Sequence, residues 1–359
     1  MRKFITVSLF IIFALSQSVP LFGQDQEASG PERIDDLLGF KRSGQASMPY
    51  LSRGAGARTM GLADAGIAMK GDASALFYNP AGIAYVENRT VMFGNMNWLM
   101  DTSIQSGALV MNFGQLGAFG ISAMNYNYGD PIQATALNGT NEAGYSDIGE
   151  LNPSEWVIGV AYARRISEQF SVGGQVKYAH QDLLGSGFSS MVAYRNEEGQ
   201  WVQEAHDAKM GIVAFDVGTI YDTGFRGLSL AMSFRNFGPG VKYERETYDI
   251  PLNFRFGVAG DVFSLLNQPM NDMGLDLRVD YLHPRDWTER INVGLEYSLR
   301  DMFFVRGGYK FNYSSEGLCL GGGLNVNLPI GAVQVDYAFK GTGETLFDAV
   351  HVYSVSLDF

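Results

Sequence analysis

From Thr90 to the C-terminus the chain alternates apolar side chains with small or polar ones, in segments of roughly ten residues. Successive side chains of a β-strand point to opposite faces, so each segment predicts a strand with one apolar and one polar face. This is also the length that a tilted strand needs to cross a bilayer. The pattern predicts an antiparallel all-β protein, either a membrane β-barrel with its apolar face outward or a soluble sandwich with that face inward.

The segment from Val350 to Phe359 ends the chain and has the pattern of a closing barrel strand. One face carries His351, Tyr353, Val355, Leu357 and Phe359, and the other carries Val352, Ser354, Ser356 and Asp358. A terminal aromatic on such a strand resembles the signal by which Gram-negative cells recognise outer-membrane barrels for assembly. Phe359 is therefore the candidate assembly signal.

The lengths of the connections favour the barrel. Fourteen strands are predicted, at 90–98, 102–112, 116–126, 155–165, 169–180, 209–221, 226–236, 253–263, 273–282, 289–299, 302–312, 316–328, 330–340 and 349–359. Apart from 264–272, the connections that follow even-numbered strands are short, whereas 127–154, 181–208, 237–252 and 341–348 all follow odd-numbered ones. Barrels have short periplasmic turns and longer extracellular loops, and a sandwich has no reason to sort its loops in this way. We expect about fourteen antiparallel transmembrane strands.

The N-terminus predicts export. Arg2 and Lys3 precede an apolar run from Phe4 to Leu15, and a polar flank extends to Gly23, which is the form of a secretory signal peptide over residues 1–24. The single cysteine, Cys319, rules out an internal disulfide, and no cysteine lies near the cleavage site to carry a lipid anchor.

Composition excludes other classes of protein. A formal charge of -12 argues against nucleic acid as a partner. After the signal peptide no apolar run reaches the ~18 residues of a spanning helix. The chain carries 44 Gly, 24 Phe and 18 Tyr, a composition that favours strands.

A motif rich in small residues precedes the predicted strands. It runs from Gly54 to Ala65 and continues through Asp72–Ala75 and Tyr78–Gly82. This motif resembles the N-terminal signature of the PorV/PorQ family, which is itself similar to FadL-type transporters that share the Asn-Pro-Ala-Gly element. The resemblance implies an N-terminal extension and hatch over residues 25–89, inside an outer-membrane barrel over residues 90–359.

The residue types of the motif suit a confined lumen. Small residues let the backbone pack closely, and Asn79-Pro80 initiates a turn. Arg58 and Asp72 could form an ion pair inside the barrel. The hatch residues that we single out are Gly56, Ala57, Arg58, Gly61, Asp72, Asn79, Pro80, Ala81 and Gly82. We expect a structural plug rather than a ligand site.

The alternation also predicts which charges face the lumen, where they would pair with one another and anchor the hatch. They are Lys177, Arg235, Arg255, Asp276, Arg278, Asp280, Glu296, Arg300, Arg306, Lys310, Asp336 and Lys340.

No motif predicts catalysis, a cofactor or a metal. The four histidines show no metal-ligand spacing, and there is no nucleophile turn of the G-x-S-x-G type. We therefore expect a protein that is not an enzyme.

Two functions remain open. The family resemblance implies a component of type IX protein secretion in the outer membrane of a Gram-negative bacterium, contacting membrane lipid and binding secreted proteins or secretion-system subunits at its extracellular loops. The candidate partner-binding residues are Phe188, Met191, Tyr194 and Trp201. The alternative is a FadL-like channel for hydrophobic small molecules, which needs a gap in strand pairing, with Gly107 and Gly159 as candidate positions. We favour secretion.

Overall fold

A computed structural model describes residues 45–359, except 138–139, 141, 186–189, 196–199, 207, 245, 269, 271 and 343–347. The predicted signal peptide and the part of the extension before residue 45 lie outside the described residues. None of the helices in the described part is long and apolar enough to cross a membrane.

Fourteen strands of the described chain close an antiparallel barrel. They are β1 (Arg89–Asn97), β2 (Ser103–Asn112), β3 (Ala118–Asn127), β6 (Ser154–Arg165), β7 (Phe170–Asp182), β10 (Lys209–Asp222), β11 (Ser229–Phe237), β14 (Asn253–Asp261), β15 (Met273–Pro284), β16 (Arg290–Leu299), β17 (Phe303–Phe311), β18 (Glu316–Leu328), β19 (Gly331–Thr342) and β20 (Val350–Asp358). The predicted strand number and antiparallel order are confirmed.

The barrel closes between its first and last strands. Thr90 pairs with Asp358 and Asn97 pairs with His351, in uninterrupted register. The amide of Phe359 donates to the carbonyl of Arg89 at 2.9 Å, and the amide of Arg89 donates back at 3.2 Å. The chain therefore ends hydrogen-bonded to the start of β1.

Six further strands form three hairpins that the sequence did not predict. They are β4 (Ile132–Leu137) with β5 (Tyr145–Leu151), β8 (Ser190–Arg195) with β9 (Trp201–His206), and β12 (Val241–Tyr243) with β13 (Glu246–Tyr248). Each lies in a connection expected to be an irregular loop. The three connections follow β3, β7 and β11, which are the third, fifth and seventh strands of the barrel. The hairpins therefore share one end of the barrel, which we call the mouth.

The opposite end carries the short connections, including a 3₁₀ turn at Gly114–Leu116 and a short helix at Val262–Leu265 in the longest of them. Arg300 and Asp301 both have positive φ, at 53° and 50°, as the two-residue turn of a tight hairpin requires. The prediction that Arg300 faces the lumen was therefore wrong, because this residue is exposed in the corner itself.

The outer face of the barrel is apolar. Phe93 is 65% exposed and Val305 is 65% exposed, although both lie in the middle of strands. Other exposed apolar residues at strand positions include Ile121, Val160, Val176, Val217, Phe234, Leu295, Leu320, Val335 and Val355. Such a face is stable in lipid, and it identifies the polar, buried face as the lumen.

Residues 48–86, the inner segment, fill this lumen. The segment contains 3₁₀ helices at Pro49–Ser52, Ala73–Phe77 and Pro80–Tyr85 and a short helix, α1, at Ala57–Gly61. Its apolar side chains are almost entirely buried against inward-facing residues of strands from all around the barrel. A segment that touches strands on every side can lie only inside them.

The inner segment runs along the barrel from end to end. The amide of Ser47 donates to the carbonyl of Asp249 at 2.9 Å, at the mouth. The side chain of Asn112, at the short-turn end, donates to the carbonyl of Val86 at 2.6 Å. Both ends of the segment are thus tied to the wall.

Glycines on the inward face let the segment approach the strands. A β-carbon added at Gly294 would lie 2.6 Å from the carbonyl oxygen of Leu62, and one added at Gly308 would lie 2.8 Å from both the nitrogen and the β-carbon of Ala63. Ala63 itself has φ 54°, a strained value for a residue with a side chain. Close packing therefore explains much of the glycine content of the wall.

Gly307 and Gly308 provide a matched test, because they are neighbours on opposite faces. We expect Gly308→Ala to lower the free energy of unfolding by ~1–3 kcal/mol through overpacking. Gly307→Ala, whose new carbon would meet only Leu320 at 3.9 Å, should leave stability unchanged or raise it by up to ~1 kcal/mol. Urea unfolding of the purified barrel measures both, and equal effects would contradict the packing described.

Candidate functional site

Arg58 joins the inner segment to the barrel wall. It lies on α1, and its guanidinium donates two hydrogen bonds to Glu296 of β16, at 2.8 and 3.2 Å. It also lies 3.5 Å from Asp72, so the predicted Arg58–Asp72 pair is present. A guanidinium bound at two points to one carboxylate fixes the orientation of α1 as well as its position.

Glu296 extends this pair into a network. Arg306 contacts Glu296 at 2.5 Å and Asp336 at 2.6 Å, and its side chain is completely buried. Arg58 and Arg306 therefore share the negative charge of Glu296 inside the barrel.

A second network lies nearer the mouth. Asp64 accepts a hydrogen bond from Tyr78 at 2.8 Å and pairs with Lys310 of β17. Lys310 in turn lies 2.8 Å from Glu316. Tyr78 and Asp64 thus tie two turns of the inner segment to one strand.

Glu316 completes this network with Lys340 at 3.0 Å and Arg53 at 3.6 Å. Asp64, Tyr78 and Glu316 were not among the predicted site residues. The sequence did contain a signal for Glu316, because this residue begins the alternation of β18. It was missed because the ends of the predicted strands are uncertain.

The Asn-Pro-Ala-Gly element forms a turn locked from several sides. The side-chain amide of Asn79 donates to the carbonyls of Ile67 at 2.9 Å and Thr219 at 3.1 Å. Its side-chain oxygen accepts from the amide of Ala81 at 3.1 Å, which caps the 3₁₀ helix that begins at Pro80. A β-carbon at Gly82 would lie 2.2 Å from the carbonyl oxygen of Met69, so only glycine fits there.

The other motif residues have similarly local roles. Gly56 has φ 91°, which suits glycine at the start of α1. The amide of Ala57 donates to the hydroxyl of Ser354 on β20 at 3.0 Å. Gly61 packs against Gly321 of β18. Asp72 caps the 3₁₀ helix at Ala73–Phe77 by accepting from the amide of Ser74 at 2.8 Å.

The predicted hatch residues therefore all lie in the lumen. They contact the barrel wall and do not surround an open site. Most of the charges predicted to face the lumen are buried there, namely Lys177, Arg235, Arg255, Arg278, Asp280, Glu296, Arg306, Lys310, Asp336 and Lys340. Asp276 is partly exposed and pairs with Arg278 at 2.6 Å.

Strand pairing is continuous at the positions proposed for a lateral gap. Gly107 pairs with Phe93 on one side and Ala123 on the other. Gly159 pairs with Ser122 and Lys177. Neither glycine therefore marks an opening in the wall.

Three of the four candidate partner-binding residues belong to the hairpin of β8 and β9. Met191 and Tyr194 lie on β8 and Trp201 begins β9. Phe188, and the side chains of these three residues, lie outside what the structure describes. Phe359, the candidate assembly signal, is 47% exposed on the outer face.

Within the described ranges, no group of three or more His, Cys, Asp or Glu side chains is placed to hold a metal ion. His351 instead contacts the hydroxyl of Tyr337 at 2.8 Å, on the outer face.

Known structures share this architecture at low sequence identity. The toluene transporter TbuX of Ralstonia pickettii superposes with a TM-score of 0.55 at 12% identity, over 85% of this chain and 98% of that one. The toluene transporter TodX of Pseudomonas putida gives 0.54 at 10% identity, over 86% and 98%. A FadL homologue of Pseudomonas aeruginosa gives 0.52 at 13% identity, over 86% and 99%. At these identities the likeness concerns the fold alone.

The sequence itself identifies the family. Residues 40–284, most of the chain, match the family described as type IX secretion system protein PorV. A search of curated protein sequences found no match. The matched range includes the inner segment and the barrel as far as the end of β15. The chain therefore belongs to the PorV family of type IX secretion system proteins, which are outer-membrane β-barrels of Gram-negative bacteria.

Proposed function

We propose that this barrel is a non-enzymatic component of type IX secretion that binds exported proteins at its mouth. The inner segment is the observation that carries the proposal. It occupies the lumen from Met48 to Val86 and is held by two ion-pair networks. A polypeptide cannot pass through that space, so cargo meets the barrel at its mouth.

The three hairpins supply the surface for this contact. They add backbone beyond the barrel at one end, where a partner from the cell exterior would arrive. Ile132 and Ile148 on the hairpin of β4 and β5 are 51% and 54% exposed. Apolar side chains exposed on projecting hairpins are typical of protein-binding surfaces. We place the main cargo contact on the connection between β7 and β10, at Phe188, Met191, Tyr194 and Trp201.

The inner segment acts in this proposal as a fixed hatch. Breaking a buried ion pair by removing one partner typically costs ~3–5 kcal/mol, and withdrawal of the segment would break several. Such a segment works as an internal brace for the wall and keeps the outer membrane sealed while cargo binds.

The alternative is a channel for hydrophobic small molecules. Its support is the fold shared with the toluene transporters. The continuous pairing at Gly107 and Gly159 and the filled lumen count against it. Secretion therefore remains the better supported function.

Replacing residues 188–201 with a short Gly-Ser linker tests the binding surface. We expect the barrel to stay folded and heat-modifiable on gels, since β7 and β10 are untouched, and to lose the secreted proteins that co-purify with the tagged wild type from the outer membrane. The control replaces residues 266–271 at the opposite end with the same linker and should retain them. Cargo that remains bound without residues 188–201 would refute this assignment.

A disulfide between the inner segment and β20 tests the fixed hatch. Ala57→Cys and Ser354→Cys, in a Cys319→Ser background, replace two residues that already share a hydrogen bond of 3.0 Å. We expect cells whose barrel is fully cross-linked, as judged on non-reducing gels, to secrete cargo at the wild-type level. Secretion that stops on oxidation and returns with reductant would show that the segment has to move.

Toluene uptake into liposomes tests the alternative. We expect liposomes with the purified barrel to take up toluene no faster than empty ones, because the wall is paired and the lumen filled. The transporter TodX provides the positive control. An acceleration comparable with that of TodX would favour the channel.

A further inference from the structure

A cavity of about 320 Å³ lies at the mouth between the inner segment and the wall. Its lining includes side chains of the mouth connections, among them Trp98, Trp287 and Tyr313, and residues on the inward face of β14, β16, β17 and β19. The volume falls within the range of small-ligand sites, which also suits one or two residues of a peptide.

The charges that line the cavity do not balance. Five cations face it, namely Arg53, Arg255, Arg290, Lys310 and Lys340, against three carboxylates, namely Asp64, Asp286 and Glu316. Arg53, Lys310 and Lys340 all pair with Glu316. For Arg255 and Arg290, the described part of the chain provides no carboxylate within ion-pair distance. The lining therefore has a net positive charge, and two of its five cations are guanidinium groups without a carboxylate at ion-pair distance.

Arg255 is the more unusual of the two. It is 4% exposed, and its Nε is buried without a hydrogen-bond acceptor. The neighbouring carboxylate, Asp280, accepts the amide of Ile67 at 3.0 Å with one oxygen, and its other oxygen is also buried without a hydrogen-bond partner. Arg290 is held by rings instead, 4.8 Å from the ring centre of Trp287 and 4.3 Å from that of Tyr313. A buried guanidinium without a carboxylate at ion-pair distance is costly, and a ligand that places a carboxylate there would relieve that cost.

Two asparagines that line the same cavity are also unsatisfied. Asn292 is completely buried, and neither its side-chain oxygen nor its nitrogen has a partner. Asn253, 6% exposed, has an unpartnered side-chain oxygen. Buried polar atoms in native proteins are nearly always hydrogen-bonded. Four lining residues carry such atoms, since Nε of Arg290 is also buried without a partner, and together they indicate a place where a bound molecule completes the hydrogen bonds.

We propose that this cavity binds an acidic segment of polypeptide. A carboxylate matches the fork of Arg255. A peptide group offers one donor and one acceptor, which is what the amide of Asn292 needs. A fatty acid supplies no donor and would leave the asparagine oxygens unpaired. The assignment rests on the proposed binding of exported proteins and names the chemistry of the part that enters the mouth.

Peptide binding to the full barrel in phosphatidylcholine nanodiscs tests this assignment without secretion. The probe is the capped peptide acetyl-Gly-Glu-Gly-amide, titrated by calorimetry beside its Gln counterpart and octanoate. We expect the Glu peptide to bind at least about tenfold more tightly than either, because only it satisfies both Arg255 and Asn292. Equal binding of octanoate or of the Gln peptide would overturn the assignment.

Arg255→Met provides the variant. It should weaken binding of the Glu peptide by about tenfold or more while leaving the urea midpoint unchanged or higher, since it removes an unpaired buried charge. The control, Arg285→Met, removes an exposed guanidinium that pairs with Asp249 at 2.9 Å outside the cavity, and it should bind normally. A destabilised Arg255→Met barrel with unchanged binding would show a structural role and refute the proposal. Normal peptide binding with failed co-purification of cargo would instead contradict the proposed function alone.

Discussion

The packing of the inner segment against the wall is the constraint on which the rest of the structure depends. A fourteen-stranded barrel encloses more space than inward side chains can fill, so a second element has to fill it. Backbone contact at Gly294 and Gly308 brings the segment close, and the ion pairs of Arg58 and Asp64 hold it there. Removing water from so many charges is tolerable only because nearly every one has a counter-charge within the lumen.

Much of this fold could be predicted from the sequence because a membrane strand has a strict period and length. The alternation of β15 and β20 identifies lipid-facing and lumen-facing residues without reference to any contact. The positions of the corners are harder to predict, because the alternation of residue types continues through them. Arg300 is an example, since its positive φ turns the side chain away from the lumen. The three hairpins were missed because short strands outside the membrane need neither the length nor the alternation of those within it.

The site was predictable only in part, for a related reason. The pair of Arg58 and Asp72 could be inferred because both residues stand in one short motif. Its stronger partner, Glu296, lies more than two hundred positions away, and only closure of the barrel brings it near. The same holds for Asp64 with Lys310. Contacts between the inner segment and the wall depend on strand register and on the path of the segment, which period and composition do not specify.

The position of the inner segment in the chain constrains how the barrel assembles. The segment directly precedes β1, and its two ends contact opposite ends of the barrel. The β1–β20 seam joins the first and the last strand of the barrel, and once it forms, the segment is surrounded on all sides. It therefore has to be inside the curved sheet before the seam closes, and wall residues such as Glu296 gain their counter-charges in the same step. Closure of the seam and ordering of the lumen are thus a single event in biogenesis. A barrel that closed first would leave the inner segment outside.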